Sequence, residues 1–240
     1  MARLENGNFR GSMGKITFYV MNGKNYAKSK QGKRNKKRNA KQNPQEVVFG
    51  NASSFGTPII NHLKPYLLFY FKREVYNHFR GWLANELPQH ENDIEWNLSV
   101  ADTALYNINR DADLRDQLLI MPEVLLTEDG NVQVKFPSFV PVKKIKAPAK
   151  TRQVNIQLLA VSAPVTDSRK TCHIDTDNCL IDYNKQTVAA KEFLLETGNT
   201  PGNLLLIIIA LVFNSDRINS KTYVPDVKWL PAAIVAAGIV

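Results

Sequence analysis

The chain has few of the residues that define disulfide-rich, membrane-spanning or secreted proteins. It contains two cysteines in 240 residues, too few for a disulfide scaffold. Its longest apolar run, residues 204–213, is about half as long as a membrane-spanning helix requires. Its first residues hold no apolar segment of the kind found in a secretory signal peptide. We therefore expect a cytoplasmic protein with no signal peptide and no membrane span.

Motifs that hold nucleotides, zinc or a catalytic serine are also missing. The sequence has no G-x-G-x-x-G, G-x-x-x-x-G-K-[ST], G-x-S-x-G or H-E-x-x-H. Acidic residues alternate at Glu91, Asp93 and Glu95, but their surroundings are polar. Paired carboxylates act as general acid and base only when their pKa values are driven apart. The sequence predicts no catalytic residue, no cofactor and no enzymatic activity.

The segment around the two cysteines does not form a recognisable metal motif. Cys172 and His173 are adjacent and Cys179 follows, but structural zinc sites usually have a second close pair of ligands. A calcium loop beginning at Asp175 would need glycine at its sixth position, where Leu180 stands. If this segment is a hairpin, the cysteines could face each other and form a disulfide. Free thiols are the default interpretation, and no metal is expected.

A β-hairpin is predicted near the N-terminus. Ile16, Phe18 and Val20 alternate with other side chains, which is typical of a half-buried strand. Asn22-Gly23 fits a two-residue type I′ turn, because both turn residues need positive φ. The return strand, residues 24–29, places Tyr26 on the same face as several lysines. Lysines on an edge strand can simply discourage aggregation.

The hairpin continues into a strongly basic segment, residues 24–41, which contains no acid. Its basic residues, the candidate polyanion-binding set, are Lys24, Lys28, Lys30, Lys33, Arg34, Lys36, Lys37, Arg38 and Lys41. Residues 1–50 carry a net charge of +10 and the whole chain +9, so residues 51–240 sum to −1. Such a segment is expected to bind nucleic acid, because neutralising the phosphates with lysine and arginine releases counterions and so favours binding. A solvated linker and an acidic protein or anionic lipid surface are the alternatives. Tyr26 is its only aromatic residue, which argues against base stacking along a single strand.

The remaining periodicity predicts helices followed by strands. Residues 45–61 allow a helix interrupted by Gly50, Gly56 and Pro58, and residues 65–87 predict one long amphipathic helix. Residues 102–117 are read as a short helix or a loop. Strands are predicted at residues 118–127, 132–136, 153–162, 170–175, 179–183, 187–195, 204–214, 223–228 and 234–240. Residues 1–13 are interpreted as a Gly- and Asn-rich lead-in.

These elements predict a mainly β (α+β) fold, with a β-sandwich-like C-terminal half, an N-terminal hairpin and one long amphipathic helix. The expected segments are 1–44 (hairpin and basic arm), 45–117 (helical) and 118–240 (β-sandwich-like). The run 204–213 is apolar on both faces. It is interpreted as a central strand, covered either by the opposing sheet and helix 65–87 or by a subunit contact. Residues 137–150 look like a connection carrying a second basic cluster, Lys143, Lys144, Lys146 and Lys150, interpreted as a solvated loop.

The chain's opening resembles a family of uncharacterised Bacteroidetes proteins. The similarity lies in Gly7, in the stretch Arg10-Gly11-Ser12-Met13-Gly14-Lys15-Ile16, and in Asn22-Gly23-Lys24 followed by Lys28-Ser29. The C-terminal strand pattern, residues 202–240, is similar too. This sequence departs from that family at Thr17, where glycine is usual, and in its long Lys/Arg tract. The resemblance implies a β-rich, non-enzymatic protein of such a bacterium or its phages, and no catalytic residues.

Three functional hypotheses follow. The first is a structural or assembly protein of a phage particle or another multi-subunit complex, in which the basic arm contacts nucleic acid or an acidic partner. The second is a nucleic-acid-binding module that acts through residues 24–41. The third is an enzyme of unrecognised type. The partners expected under the first are other protein subunits, and the location is the cytoplasm, or the virion if a phage encodes the chain.

Overall fold

The computed structural model describes residues 3–5, 7–21, 23–30, 44–67, 73–86, 105–164, 172–198, 202–215 and 226–239. The chain divides into two compact units, Met1–Asn43 and Pro44–Val240. Its described residues are mainly β, arranged in three antiparallel sheets. The predicted fold class is confirmed. The two units are described separately below.

The N-terminal unit is a four-stranded meander. Its strands are β1 (Arg3–Glu5), β2 (Asn8–Met13), β3 (Ile16–Met21) and β4 (Lys24–Ser29), paired in that order. Each two-residue connection contains a glycine with positive φ, 75° at Gly7, 58° at Gly14 and 72° at Gly23. Side chains other than glycine's are strained there, so glycine permits the tight reversals. The hairpin of β3 and β4 is confirmed. The lead-in at residues 1–13, for which no strand is predicted, contains β1 and β2.

None of the described side chains of this unit is buried. The side-chain contacts between the strands are therefore made by exposed or half-buried residues. The Phe9 and Phe18 rings lie 5.8 Å apart, and the hydroxyls of Ser12 and Thr17 are 3.1 Å apart. The Phe9 N–H donates to Asn25 Oδ1 at 3.2 Å. The sheet is thus stabilised by backbone hydrogen bonds between its strands and by cross-strand side-chain pairs, and its described residues form no buried core.

The second unit contains four helices, eight strands and one 3-10 turn among its described residues. The helices are α1 (Pro44–Leu63), α2 (Arg73–Glu86), α3 (Leu114–Gln117) and α4 (Pro141–Lys144). The strands are β5 (Tyr106–Asn107), β6 (Glu123–Leu126), β7 (Val132–Phe136), β8 (Thr151–Pro164), β9 (His173–Asp182), β10 (Lys191–Leu195), β11 (Asn203–Ser215) and β12 (Ala232–Ile239), and the turn is Val227–Trp229. They form a large sheet, β5-β12-β11-β8-β9, and a small sheet, β10-β7-β6.

The large sheet is covered on both faces, with β11 at its centre. The residues of β11 in the core shared with the small sheet are Leu205, Ile207, Ile209, Leu211 and Phe213. Those in the core shared with α1 and α2 are Leu204, Leu206, Ile208 and Ala210. The prediction of a central strand covered by an opposing sheet and by helix is confirmed, so a subunit contact is not needed to explain its apolar character. The body therefore has three layers: small sheet, large sheet and helices.

The helical layer differs from its sequence prediction. Helix α1 runs without interruption from Pro44 to Leu63 and includes Pro58. A helix beginning at Pro65 is wrong, because residues 64–66 form a turn in which the Tyr66 N–H donates to Leu63 O at 3.0 Å. Within the predicted helix 65–87, residues 73–86 are helical and form α2. A Cβ placed on Gly56 would lie 2.9 Å from Leu83 Cδ1, so this glycine allows α1 and α2 to approach closely.

Several strand predictions also change. Residues 170–175 and 179–183 are predicted as separate strands, but residues 173–182 form the single strand β9, because all ten pair with β8. Within residues 223–228, those that the structure describes lead into the 3-10 turn and form no strand. Residues 118–127 and 187–195 shorten to β6 and β10. Residues 105–117 form β5, a loop and the short α3.

In the loop after β5, Asn109 joins distant segments. It is 3% exposed, and its Nδ2 donates to Val227 O at 2.8 Å and Leu230 O at 2.7 Å. Its Oδ1 accepts from the Asp111 N–H at 3.1 Å. Buried amides need such complete pairing, because an unpaired polar group costs about 1–3 kcal/mol. Asn109 thus fastens the loop to the 3-10 turn.

Candidate polyanion interface

One face of the β3–β4 hairpin combines lysines with a tyrosine pair. The register opposes Thr17 to Lys28, Tyr19 to Tyr26 and Met21 to Lys24. Because side chains alternate along a strand, these six share one face. The Tyr19 and Tyr26 rings are stacked, with centroids 5.6 Å apart and planes 20° apart. Residues 16–21 and 24–29 therefore present aromatic and cationic groups side by side.

The charge on this face is uniformly positive. The Lys28 Nζ lies 5.4 Å from the centroid of the Tyr19 ring, within the range of a cation–π contact. Every residue of β4 is exposed. The sequence has no Asp or Glu between Glu5 and Glu46, so no carboxylate of this segment can neutralise the lysines. A bound anion would meet little competition from within the segment.

The structure places only part of the predicted binding set. Lys24 and Lys28 lie on β4, and Lys30 follows its end, where the Lys30 N–H donates to Lys15 O. β4 is an edge strand of the four-stranded sheet. The remaining members lie outside the described residues; they are Lys33, Arg34, Lys36, Lys37, Arg38 and Lys41. The described face and the undescribed tract are nevertheless continuous along the chain.

The opposite face of the hairpin is apolar. Ile16, Phe18 and Val20 alternate with the tyrosine face along β3, and Ala27 lies opposite Phe18 on β4. Ile16 is 43% exposed, and its partner on β2, Met13, is 65% exposed. The N-terminal sheet is therefore amphipathic but does not bury its apolar side.

The second basic cluster has a different setting. Residues 137–150 are not only a connection: Phe139 and Ile145 are buried, and each forms an isolated bridge to another segment. The Tyr183 hydroxyl donates to Ile145 O at 2.9 Å. The four lysines of the cluster are exposed. No described aromatic ring lies under them in a cation–π contact, unlike Lys28 on β4.

The cysteines do not face each other. Cys179 lies within β9 and Cys172 directly precedes it, so an extended chain separates their Cα atoms by about 23 Å. A disulfide needs them within about 7 Å, and both are free. The hairpin alternative is therefore wrong. Burial raises the pKa of the Cys172 thiol, which lowers its thiolate fraction and its reactivity near neutral pH.

The described part of the body does not assemble a metal site. Among the residues that the structure describes, no group of three or more His, Cys, Asp or Glu is placed to hold a metal ion. Asp175 instead accepts from the Glu196 N–H at 2.7 Å, and Asp113 caps α3 by accepting from the Arg115 N–H at 2.8 Å. These carboxylates have structural partners. The acidic patch at residues 91–95 lies outside the described residues.

Comparison of the chain with known protein families, with curated proteins and with solved structures found no match. Within the described residues, no helix has the length and apolar character that crossing a membrane requires. A functional proposal for this protein therefore depends on the arrangement of charge and aromatic rings on the hairpin.

The candidate interface also contains Tyr19, which the basic tract itself does not indicate. Within that tract Tyr26 stands alone, so the composition of residues 24–41 predicts no aromatic pair. The turn predicts this aromatic pair, because a two-residue turn at residues 22–23 places residue 19 opposite residue 26 in the return strand. The tyrosine pair follows from the register and could have been predicted with the hairpin.

Proposed function

We propose that the protein is a non-enzymatic structural or assembly protein whose N-terminal segment contacts nucleic acid or an acidic partner. The observation that carries the proposal is the segregation of charge. Residues 1–50 hold a net +10 and the rest of the chain −1, and Lys24 and Lys28 of this segment stand on an exposed edge strand. Binding there would be electrostatic and sensitive to salt.

The outer face of the small sheet supports contacts between subunits. Leu125 on β6 and Leu194 on β10 both pair with Gln133 of β7, so they flank it on one face. They are 39% and 57% exposed. Burial of apolar surface is favourable by about 25 cal/mol per Å². We infer that this face packs against a neighbouring subunit in a larger assembly.

The apolar side of the N-terminal sheet supports assembly as well. A β-sheet normally packs its apolar face against another layer, yet Met13 and Ile16 remain exposed. Covering this side by a protein surface would stabilise the unit. Under the proposal the chain belongs to a multi-subunit complex such as a phage particle, and acts in the cytoplasm or in the virion.

The test uses the full chain and two charge variants, one that removes six cations and a control that removes four. One replaces Lys33, Arg34, Lys36, Lys37, Arg38 and Lys41 with Gln. The control replaces the second cluster, Lys143, Lys144, Lys146 and Lys150, with Gln. Binding to DNA, RNA and poly-glutamate is measured across a salt series, and the oligomeric mass is recorded in the same samples.

We expect salt-sensitive polyanion binding that the first variant weakens and the control keeps, together with a mass above that of the monomer. Removing one lysine or arginine that neutralises a phosphate reduces the slope of log K against log salt by about 0.7–0.9. Binding of undiminished affinity after neutralisation of these six residues, or a strictly monomeric protein in every sample, would contradict the proposal.

A second candidate is a nucleic-acid-binding module that acts without assembly. The stacked pair Tyr19 and Tyr26 beside Lys28 favours it, since stacking of bases on aromatic rings contributes to binding of single-stranded nucleic acid. The oligomeric mass separates the candidates. Tight nucleic-acid binding by a monomer favours the module, and binding by a defined oligomer favours the assembly protein.

A further inference from the structure

The hairpin face supplies a pair of stacked aromatic rings in addition to charge. We propose that Tyr19 and Tyr26 stack on the bases of a single-stranded nucleic acid while Lys24 and Lys28 contact its phosphates. This proposal rests on the proposed function, because it names one partner class for the same N-terminal segment. Under this proposal, β3 and β4 provide the specificity for single strands. The basic tract provides a non-specific electrostatic attraction for nucleic acid.

The tyrosine rings have the geometry that stacking requires. Their planes are 20° apart and their centroids 5.6 Å apart, so the two rings lie face to face with an offset, and a base would stack on an outer face of the pair. The residues are 36% and 37% exposed, which leaves ring area for a ligand. Base–aromatic stacking tolerates any sequence, because every base has a π-face.

The lysines stand on both sides of Tyr26 in this pair. Lys24 and Lys28 are each two positions from Tyr26 along β4, which corresponds to about 7 Å. A base stacked on Tyr26 would thus lie between two cations. The Lys28 Nζ already lies over the Tyr19 ring, so it is held close to the stacking surface by an attractive contact.

The combination favours an unpaired strand over the other polyanions. In a duplex the bases are stacked on one another and their faces are not available. An acidic peptide could neutralise the lysines, but it has no base to place on the rings. The single strand is the polyanion that uses both parts of the face.

A cross-strand aromatic pair also stabilises a hairpin, and the experiment must separate that role from stacking. In the full chain, the double variant Tyr19→Leu/Tyr26→Leu removes the rings and keeps apolar bulk. The double variant Tyr19→Phe/Tyr26→Phe keeps the rings. Tyr66→Leu is the matched control in the other unit, because Tyr66 is 37% exposed.

Binding is followed by fluorescence anisotropy with a labelled oligothymidylate, an abasic oligomer of equal length, a duplex and poly-glutamate. We expect the Leu variant to bind oligothymidylate at least about tenfold more weakly, with its affinity for the abasic oligomer and its salt slope unchanged. The Phe variant and Tyr66→Leu should keep the affinity of the unmodified chain. Lys24→Gln/Lys28→Gln should reduce the salt slope by about 1.4.

Each remaining outcome overturns the inference. Equal affinity for oligothymidylate and the abasic oligomer, stronger binding to the duplex, or full affinity in the Leu variant would leave polyanion binding intact and exclude stacking. Loss of affinity in the Phe variant, or equal loss for both single-stranded probes in the Leu variant, would show that the rings only support the hairpin. Binding of poly-glutamate alone would exclude nucleic acid as the partner and leave the acidic-partner form of the proposed function standing.

Discussion

The four-stranded sheet of the N-terminal unit and the five-stranded sheet of the body are both antiparallel, but they bury very different surfaces. In the body, the small sheet covers one face of the large sheet and α1 and α2 cover the other. In the N-terminal unit, no described side chain is buried. Because burial of apolar area is the main stabilising contribution to a fold, we expect most of the free energy of folding to come from the body. In the N-terminal sheet, apolar residues such as Met13 and Ile16 and the lysines of β4 are exposed.

The largest expected difference between the two sheets is in the loss of unfolding free energy when one isoleucine of each sheet is replaced by alanine. Ile207, in the centre of β11, is fully buried, and Ile207→Ala leaves a cavity between the sheets. We expect a loss of about 2–5 kcal/mol in the free energy of unfolding, measured from urea midpoints at unchanged m-value. Ile16→Ala, at a residue 43% exposed, should cost about 0.5 kcal/mol or less. A loss at Ile16 as large as that at Ile207 would show that another surface covers the N-terminal sheet.

An Asn→Asp pair tests the polar contacts of the two units. Asn109→Asp replaces two buried donations with a carboxylate facing the carbonyls of Val227 and Leu230. We expect a loss of about 3 kcal/mol or more at neutral pH, which diminishes in acid as the new carboxyl becomes protonated. Asn25→Asp should be nearly neutral, because exposed Asn25 only accepts, from the Phe9 N–H, and a carboxylate also accepts. Chemical denaturation at pH 7 and pH 5 measures both, and equal losses would contradict the contrast.

The smallest expected effect concerns alkaline stability. Burial raises the pKa of Tyr106 to about 12, although Arg110 lowers it in part. The unfolded chain therefore ionises this tyrosine before the folded chain does, so Tyr106 favours the folded state below pH 10 and this contribution is lost as the pH rises toward 12. Tyr106→Phe should show a smaller decrease in melting temperature between pH 9 and pH 11, by a few degrees at most. Tyr66→Phe, an exposed tyrosine of the same unit, is the control, and an identical decrease in both variants would refute the assignment.

Local sequence patterns correctly predicted two elements, because their burial pattern and turn residues lie within the elements themselves. The alternation of Ile16, Phe18 and Val20 and the turn residue Gly23 predicted the hairpin, which the structure contains. The apolar run at residues 204–213 predicted a strand buried on both faces, and β11 is such a strand. In both cases the period of the side chains and the turn geometry are sufficient.

Predictions failed where pairing over a distance overrides local preference. Asp175, Asp177 and Asn178 favour a break in a strand, yet ladder bonds to β8 hold them in a continuous β9. Gly56 and Pro58 suggested an interrupted helix, but Gly56 instead permits the contact of α1 with Leu83. The turn at residues 64–66 ends α1 and could not be distinguished from the start of a helix by apolar spacing alone.

By itself the sequence determined the segregation of charge, the β3–β4 register and the two-sided apolar character of β11. Each of these depends on composition or on contacts between near neighbours, which alternation and turn geometry specify. The tertiary structure alone decided that α1 and α2 cover the second face of the large sheet, that β9 is one strand, and that Asn109 spans to Val227 and Leu230. These contacts join residues far apart in the chain, and their free energy depends on which surfaces meet, which no local window of sequence contains.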